Sequence, residues 1–264
     1  MDFLEYVDGA QVALYGFWAF FAGLIWYLLR EDNREGYPLE THRLDRQGNP
    51  ETLEGLYGLP SPKVFLRADG SRVLAPDPAR ADRRPVAARQ VGEDDRYGPD
   101  AGAPFEPTGD PMRDGVGPAA YAARADVPEL MLDGSAMIVP MRLTEGWSIE
   151  PRDPDPRGMS VCGLDGAVAG EVVELWVDRS EPQIRYLEVK LAGGERNVLL
   201  PCGFVDYDRA NRKVEVVAIT AAQFAHVPAT ASDSQITKLE EDRICAYYAG
   251  GTLYAVPSRS EPLI

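Results

Sequence analysis

The chain has 264 residues, which is enough for one large or two modest domains with a hydrophobic core. Its formal net charge of −15 argues against nucleic-acid binding, which needs a face rich in lysine and arginine. Its three cysteines and two histidines show no CxxC pair and no metal-ligand spacing, so neither a zinc site nor a disulfide framework is indicated. The sequence also lacks GxGxxG, Walker, GxSxG and HExxH motifs and gives no support for an enzyme.

The first predicted element is a membrane-spanning helix over residues 10–30. Its apolar stretch AQVALYGFWAFFAGLIWYLL (10–29) carries no charge and matches the ~20 residues needed to cross the ~30 Å hydrocarbon layer of a bilayer. No lysine or arginine precedes it and no AxA-like cleavage site follows, which favours an uncleaved anchor over a signal peptide. Because Arg30 and Arg34 follow the apolar stretch, the positive-inside rule predicts a short external N-terminus (1–9) and a cytoplasmic remainder.

Residues 31–135 are rich in proline, glycine, aspartate and arginine, and we predict an extended cytoplasmic strap there. Within it, VFLRADGSRVLAP (64–76) is typical of a hairpin that turns at Asp69 and Gly70. Segment 92–118 has the composition of a disordered linker. The alternative is a strap that becomes ordered on the surface of a larger partner, and composition alone leaves both interpretations open.

A small antiparallel β-barrel or sandwich is predicted over residues 136–228. Four segments, EVVELWVD, IRYLEVKL, NVLLPCGF and KVEVVAI, are rich in valine, leucine and isoleucine and partly alternate. Hairpin turns are predicted between them at 192–194 and 208–211. The alternation in IRYLEVKL directs one set of side chains into the core (Ile184, Leu187, Val189 and Leu191) and leaves another set outside (Arg185, Glu188 and Lys190).

The last predicted element, within residues 229–264, is a helix with the body KLEEDRICAYYA. Thr237 and Glu240 have the spacing of a capping box, and the pair Gly250 and Gly251 is expected to end the helix. The acidic residues 240–242 suit the positive end of the helix dipole, so they have a structural explanation. The predicted fold class is therefore α+β, mostly β, with a single N-terminal transmembrane helix.

The stretch WVDRSEPQIRYLE (176–188) gathers ionisable residues around one proline, among them Asp178, Glu181 and Arg185. It is typical of a solvated hairpin turn, where an exposed ion pair contributes about 0–1 kcal/mol. The other interpretation is a group of carboxylates with a functional role at the rim of the barrel, with the arginine keeping them partly ionised. The residues by themselves favour the solvated turn.

Several stretches, in order along the chain, resemble one family: the H subunit of the purple-bacterial photosynthetic reaction centre. They are the N-terminal span with REDNREGYPLE, PTGDPMRDGVGPAAY (107–121), DPDPRGMSVCGLDGAVAGEVVELWVDRSEPQIRYLEV (153–189) and LEEDRICAYYAGGTLYA (239–255). The resemblance covers nearly the whole chain. The predicted barrel is similar to the PRC-barrel, a fold named in part for this subunit.

The resemblance implies a non-catalytic subunit that binds no pigment or metal itself. Such a subunit crosses the membrane once, and that membrane is the bacterial inner membrane in its intracytoplasmic or chromatophore form. It covers the cytoplasmic faces of the L and M subunits, which hold the bacteriochlorophylls, bacteriopheophytins, quinones and non-haem iron. Antenna subunits, membrane lipids and in some complexes a cytochrome are further expected partners.

The resemblance also implies site residues for proton transfer. Glu181 matches the acid that lies close to the secondary-quinone site, and Asp178 and Arg185 match positions in the same polar network. Some family members carry two histidines after the segment that corresponds to VPELMLDG, where protons are taken up, but this chain reads VPELMLDGSAMIVPM. Glu129 and Asp133 are the candidate replacements for those histidines.

Two other functions fit parts of the sequence. A membrane-tethered PRC-barrel adaptor would recruit a cytoplasmic factor without any photosynthetic role, although the acidic charge and the N-terminal motif count against it. A membrane-bound hydrolase would use the acidic clusters, but the sequence offers no nucleophile, base and oxyanion arrangement.

Overall fold

A computed structural model of the chain describes residues 8–44, 50–77, 79, 86–90, 105–194 and 196–260. The described residues form two compact units. The first contains those up to residue 79, and the second contains those from residue 86 onward.

The first unit begins with helix α1, Gly9–Asp32, which is long and apolar enough to cross a membrane. The carboxylate of Asp8 caps its first turn by accepting a hydrogen bond from the backbone N–H of Gln11 at 2.8 Å. Every described side chain from the start of the helix through Leu29 is exposed, as expected for a helix surrounded by lipid or by other membrane helices. The helix contains the predicted span 10–30 and extends it by a residue or two at each end.

The end of α1 is fastened to the loops that follow it in the first unit. Arg34 is buried, and its guanidinium donates to the carbonyl oxygens of Ser61 at 2.9 Å and Ala75 at 2.7 Å. Its other nitrogens bind Glu31, which also accepts from Lys63 at 2.8 Å. Strands β1 (Leu39–Leu44) and β2 (Pro50–Leu53) pair antiparallel, as do β3 (Lys63–Leu66) and β4 (Arg72–Ala75). The β3–β4 hairpin confirms the predicted turn at Asp69 and Gly70.

The second unit begins with part of the predicted strap. Strands β5 (Ala88–Gln90) and β6 (Phe105–Pro107) pair antiparallel, and a one-turn helix, α2 (Pro111–Asp114), follows. Its Met112 is buried in the main core, while Val116 and Ala119 after it are also buried. Much of segment 92–118 up to residue 104 lies outside the described residues. Met112 therefore anchors the described end of this segment in the chain's own core.

Seven strands form the main sheet of the second unit: β7 Ile138–Pro140, β8 Ser160–Cys162, β9 Val168–Asp178, β10 Gln183–Leu191, β11 Asn197–Pro201, β12 Val205–Asp208 and β13 Lys213–Val216. Their order in the sheet is β11-β10-β9-β8-β13-β12, with β7 beside the end of β9. All neighbouring pairs are antiparallel except β8 and β13, which are parallel. Hydrogen bonding does not close these described strands into a complete ring.

A β-bulge at Arg185 interrupts the alternation of strand β10. Ile184 is opposite Val177 and Tyr186 is opposite Trp176, so Arg185 has no partner of its own on β9. After the bulge both Tyr186 and Leu187 are buried. Among the residues predicted to face inward, Leu187 and Val189 are fully buried, whereas Ile184 and Leu191 are half-buried; Arg185 and Lys190 are exposed and Glu188 is half-buried.

Helix α3, Lys238–Tyr254, follows the sheet. The predicted capping box is confirmed: Glu240 N–H donates to Thr237 Oγ1 at 3.2 Å, and Thr237 N–H donates to the Glu240 carboxylate at 2.8 Å. The prediction that Gly250 and Gly251 end the helix is wrong, because the helix continues through both. A Cβ atom on Gly250 would lie 2.6 Å from the Cβ of Ala119, so this glycine permits close packing.

Candidate functional site

The turn between β9 and β10 is organised by Asp178. This buried carboxylate accepts hydrogen bonds from Ser180 N–H at 2.9 Å, Ser180 Oγ at 2.7 Å and Glu181 N–H at 3.2 Å. Burial acts to raise the pKa of Asp178, but these hydrogen bonds outweigh it, and the pKa ends below its ordinary value. Asp178 is therefore a fixed anion that shapes the turn and presents Glu181.

Glu181 itself is exposed in this turn. Its side chain accepts a long hydrogen bond of 3.4 Å from Gln183 Nε2. The turn is also held by Arg179, whose backbone N–H donates a hydrogen bond to the backbone oxygen of Met137 at 3.0 Å. A hydrogen-bonded turn thus carries a solvent-facing carboxylate that a partner protein can approach.

Arg185 connects this turn with a second group of ionisable residues. The side chain is exposed at the bulge, and its positive charge lowers the pKa of Asp178 on one side and of Glu241 on the other. It acts in the same direction on the thiols of Cys202 and Cys245. The bulge thus places one cation between the turn and helix α3.

The second group is centred on Glu241, in the first turns of α3. Its side chain is buried, and Tyr186 donates a hydrogen bond to its Oε2 at 3.1 Å. The Tyr186 hydroxyl also lies 3.9 Å from the sulfur of Cys245. Burial raises the pKa of Glu241, while the Tyr186 hydroxyl and the charges of Arg185 and Arg124 partly offset that rise. A buried carboxyl group of this kind can take up and release a proton.

Sequence reasoning missed Glu241, because it explained the acidic run 240–242 by helix capping alone. Glu240 does have that role, but Glu241 lies on the buried face of α3. The signal was its spacing from Ile244 and Tyr248, three and seven residues ahead, which gives a helical stripe of otherwise apolar side chains. A carboxylate in such a stripe is expected to be buried.

The two candidate proton-uptake acids lie in different places. Glu129 is half-buried and close enough to Glu241 to raise its pKa. Asp133 is exposed in a tight turn, where it accepts a hydrogen bond from Ser135 N–H at 2.9 Å. Hydrogen bonds from Ser135 and the nearby charge of Arg179 lower the pKa of Asp133. The structure therefore associates Glu129 with the Glu241 group and Asp133 with the base of the Glu181 turn.

Backbone and side-chain contacts hold the segment that contains Glu129 against α3. Lys238 N–H donates to Val127 O at 3.1 Å, and Thr237 Oγ1 donates to Asp126 at 2.7 Å. Arg124 forms an ion pair with Asp242 at 3.2 Å. These contacts fix the segment at the N-terminal end of the helix.

A separate polar cluster lies across strands β9 and β10. Glu174 and Glu188 are directly opposite each other, an unfavourable arrangement for two carboxylates. Arg142 bridges them, with nitrogen-to-oxygen distances of 3.6 Å and 3.8 Å. Trp176 Nε1 and Asn197 Nδ2 also donate to Glu188, at 2.9 Å and 2.6 Å. The cluster is a structural bridge, and each carboxylate has partners.

Replacing Arg142 with leucine is expected to lower the free energy of unfolding by about 1–2 kcal/mol, because it leaves Glu174 and Glu188 opposed without the bridging cation. Denaturant unfolding of the full chain in detergent, followed by tryptophan fluorescence, measures the change. A second substitution, Glu174→Gln, is expected to restore part of the loss. The same Arg→Leu change at the exposed Arg152 serves as the control, and equal effects at both arginines would contradict this role for Arg142.

The fold defines a PRC-barrel protein with an apolar helix at its N-terminus. The family model for the PRC-barrel domain matches residues 150–223, which contain most of the sheet. A second model, described as the photosynthetic reaction centre H-chain N-terminal region, matches residues 1–143, more than half of the chain.

The chain therefore belongs to the photosynthetic reaction-centre H-chain family, which confirms the resemblance drawn from its motifs. The H chain is a non-catalytic subunit that binds no pigment and associates with the L and M subunits. Among the described residues, no three histidine, cysteine or acidic side chains are grouped to hold a metal ion.

Proposed function

We propose that the chain caps the cytoplasmic faces of the L and M subunits, stabilises that complex and supports proton delivery to the secondary quinone. In this proposal α1 crosses the bacterial inner membrane with residues 1–9 outside. The positive charges at the cytoplasmic end of the helix support that orientation, since Arg30 and Arg34 follow the apolar stretch and no lysine or arginine precedes it.

In this proposal each predicted segment of the chain has its own role. The strap (31–135) lies along the partner subunits, the barrel (136–228) covers the quinone side, and the C-terminal part (229–264) supports the barrel through α3. The contacts of Val127 and Asp126 with the start of α3 support a shared role for the end of the strap and the helix. The quinones, pigments and non-haem iron belong to the partner subunits in this proposal.

Each proton-transfer residue has a role that fits its surroundings. Glu181, exposed in a rigid turn, faces the partner subunits and passes protons toward the quinone. Asp178 holds the turn, and Arg185 tunes the acids on both sides of it. Glu129 and Asp133 are the proposed uptake acids on the cytoplasmic surface.

One observation carries the proton-transfer part of the proposal: Glu241 is a buried carboxyl group with a raised pKa, and the charge of Arg185 reaches both it and the Glu181 turn. A proton relay needs titratable groups that exchange protons near working pH. The acidic net charge of −15 is consistent with this role, because a negative surface raises the local proton concentration.

The first test is co-purification. The tagged full chain is extracted from its native host in mild detergent, and the near-infrared absorption of the preparation is recorded. Bacteriochlorophyll and bacteriopheophytin bands that bleach reversibly on a flash are expected. A colourless preparation from pigmented cells, with the tag intact and the complex known to survive the detergent, would instead favour the PRC-barrel adaptor.

Replacing Glu181 with glutamine is expected to leave assembly and the first electron transfer to the secondary quinone normal, because neither step needs a proton from this side chain. The second, proton-coupled electron transfer is expected to slow. Flash kinetics of the purified complex across pH measure both steps. Glu215→Gln, at an exposed position on β13, is the matched control. If Glu181→Gln shows parental kinetics at every pH, the turn has a structural role and Glu181 does not transfer protons.

A further inference from the structure

A buried tyrosine connects Glu241 with its own helix. The hydroxyl of Tyr186 lies 3.1 Å from Glu241 Oε2 and 3.9 Å from Cys245 Sγ. Glu241 and Cys245 are four residues apart and therefore neighbours on one face of α3. Tyr186 as a whole is 2% exposed. Its hydroxyl is held between these two side chains, away from bulk water.

The bulge at Arg185 produces this arrangement. Without the extra residue, strict alternation would place Arg185 and Leu187 on one face and Tyr186 on the other. With the bulge, Tyr186 and Leu187 are both buried, and the tyrosine reaches a helix 55 residues further along the chain. The same irregularity that exposes the arginine thus delivers the hydroxyl to Glu241.

We propose that Tyr186 is a positioning residue for Glu241: its hydroxyl fixes the orientation of the carboxyl group and favours the ionised form enough for the group to exchange protons. The inference deepens the proposed proton-delivery function and rests on it. Burial raises the pKa of Tyr186, so its hydroxyl remains a donor while Glu241 titrates.

Several other groups also act on Glu241. From β10 the positive charge is that of Arg185, and from the segment before the sheet come Arg124, which favours ionisation, and Glu129, which opposes it. On α3 itself, Asp242 and the thiol of Cys245 lie nearby. Among the described side chains, Tyr186 is the one that donates a hydrogen bond to the Glu241 carboxylate.

The test compares the full complex with parental Tyr186 and with Tyr186→Phe, which keeps the ring and removes the hydroxyl. Infrared difference spectroscopy follows the C=O band of protonated Glu241 against pH, and Glu241→Gln identifies that band by its loss. In Tyr186→Phe the band is expected to persist about one to two pH units higher, as the loss of one hydrogen bond to a charged group implies.

Tyr247→Phe is the matched control, because this tyrosine on α3 donates to the backbone oxygen of Gln223 at 2.9 Å. It is expected to leave the Glu241 band at its parental pH. An unchanged or lowered midpoint in Tyr186→Phe would overturn the inference, and so would the absence of any band that Glu241→Gln removes. If the midpoint rises while electron-transfer kinetics stay parental, Tyr186 positions Glu241 as inferred and it is the proton-delivery function that fails.

Discussion

Glu241→Gln is expected to slow the second, proton-coupled electron transfer to the secondary quinone by about tenfold. This effect is smaller than the ~100-fold or greater loss typical when a sole proton donor is removed, since Glu129 and Glu181 remain as the other proposed donors. Glutamine has nearly the same shape and can still accept a hydrogen bond from Tyr186, but it cannot carry a proton. The expected deficit follows from the buried position of this carboxyl group and its raised pKa.

The pH dependence has a definite sign. Because the pKa of folded Glu241 is raised, its carboxyl group holds a proton at pH values where an exposed glutamate is ionised. The ratio of the parental rate to the Glu241→Gln rate for the second electron transfer is therefore expected to be largest below the raised pKa. It is expected to decrease as pH increases through that pKa. Flash kinetics across pH measure it, with Glu171→Gln at an exposed position on β9 as the control. A pH-independent ratio between parent and variant would contradict a protonated Glu241 in the transfer step.

Stability provides the same pH test without any partner subunit. Because folding raises the pKa of Glu241, protonation of this group contributes to the free energy of unfolding, and the contribution is fully present below the ordinary pKa. It is lost as pH rises from the ordinary pKa through the raised one. Glu241→Gln is expected to remove this part of the pH dependence. Denaturant unfolding of parent and variant at acidic and neutral pH compares them directly.

Gly251→Ala is expected to lower the free energy of unfolding by about 3 kcal/mol, at the upper end of the usual cost of overpacking. A Cβ atom at this position would lie 2.5 Å from the backbone oxygen of Ala218 and would also strike Ile219. Backbone cannot move aside as a flexible side chain can, so α3 would have to shift away from the segment that follows β13. At an exposed helical position the same change normally raises the free energy of unfolding by about 1 kcal/mol. The sign of the change therefore distinguishes a packed position from an exposed one.

Thermal and denaturant unfolding of the full chain in detergent measure the effect. Gly203→Ala is the matched control, because nothing lies within 4 Å of the Cβ that it would add. That control is expected to change the free energy of unfolding by less than about 0.5 kcal/mol. If Gly251→Ala were as stable as the parent, the close contact between α3 and the segment around Ala218 would not be a feature of the folded chain.

Local features of this protein were predictable from its sequence. The apolar run ending before Arg30, the capping box of Thr237 and Glu240, and the hairpin at Asp69 and Gly70 each depend on residues a few positions apart. The four longest segments of alternating or apolar residues likewise contain strands β9, β10, β11 and β13. The short strands β7, β8 and β12 were missed: β7 and β8 have only three residues each, and β12, with the sequence VDYD, has a single aliphatic side chain.

The sequence by itself therefore determined the apolar N-terminal helix, the main strands, the family and the acidic turn around Glu181. Only the tertiary structure decided that Gly251 lies within α3 and packs against Ala218, and that a bulge turns Tyr186 inward. It also decided that the Tyr186 hydroxyl donates a hydrogen bond to Glu241. The physical reason is distance along the chain. Helix caps and turns are fixed by neighbouring residues, whereas close packing and the proton affinity of a buried carboxyl group depend on what distant segments bring beside it.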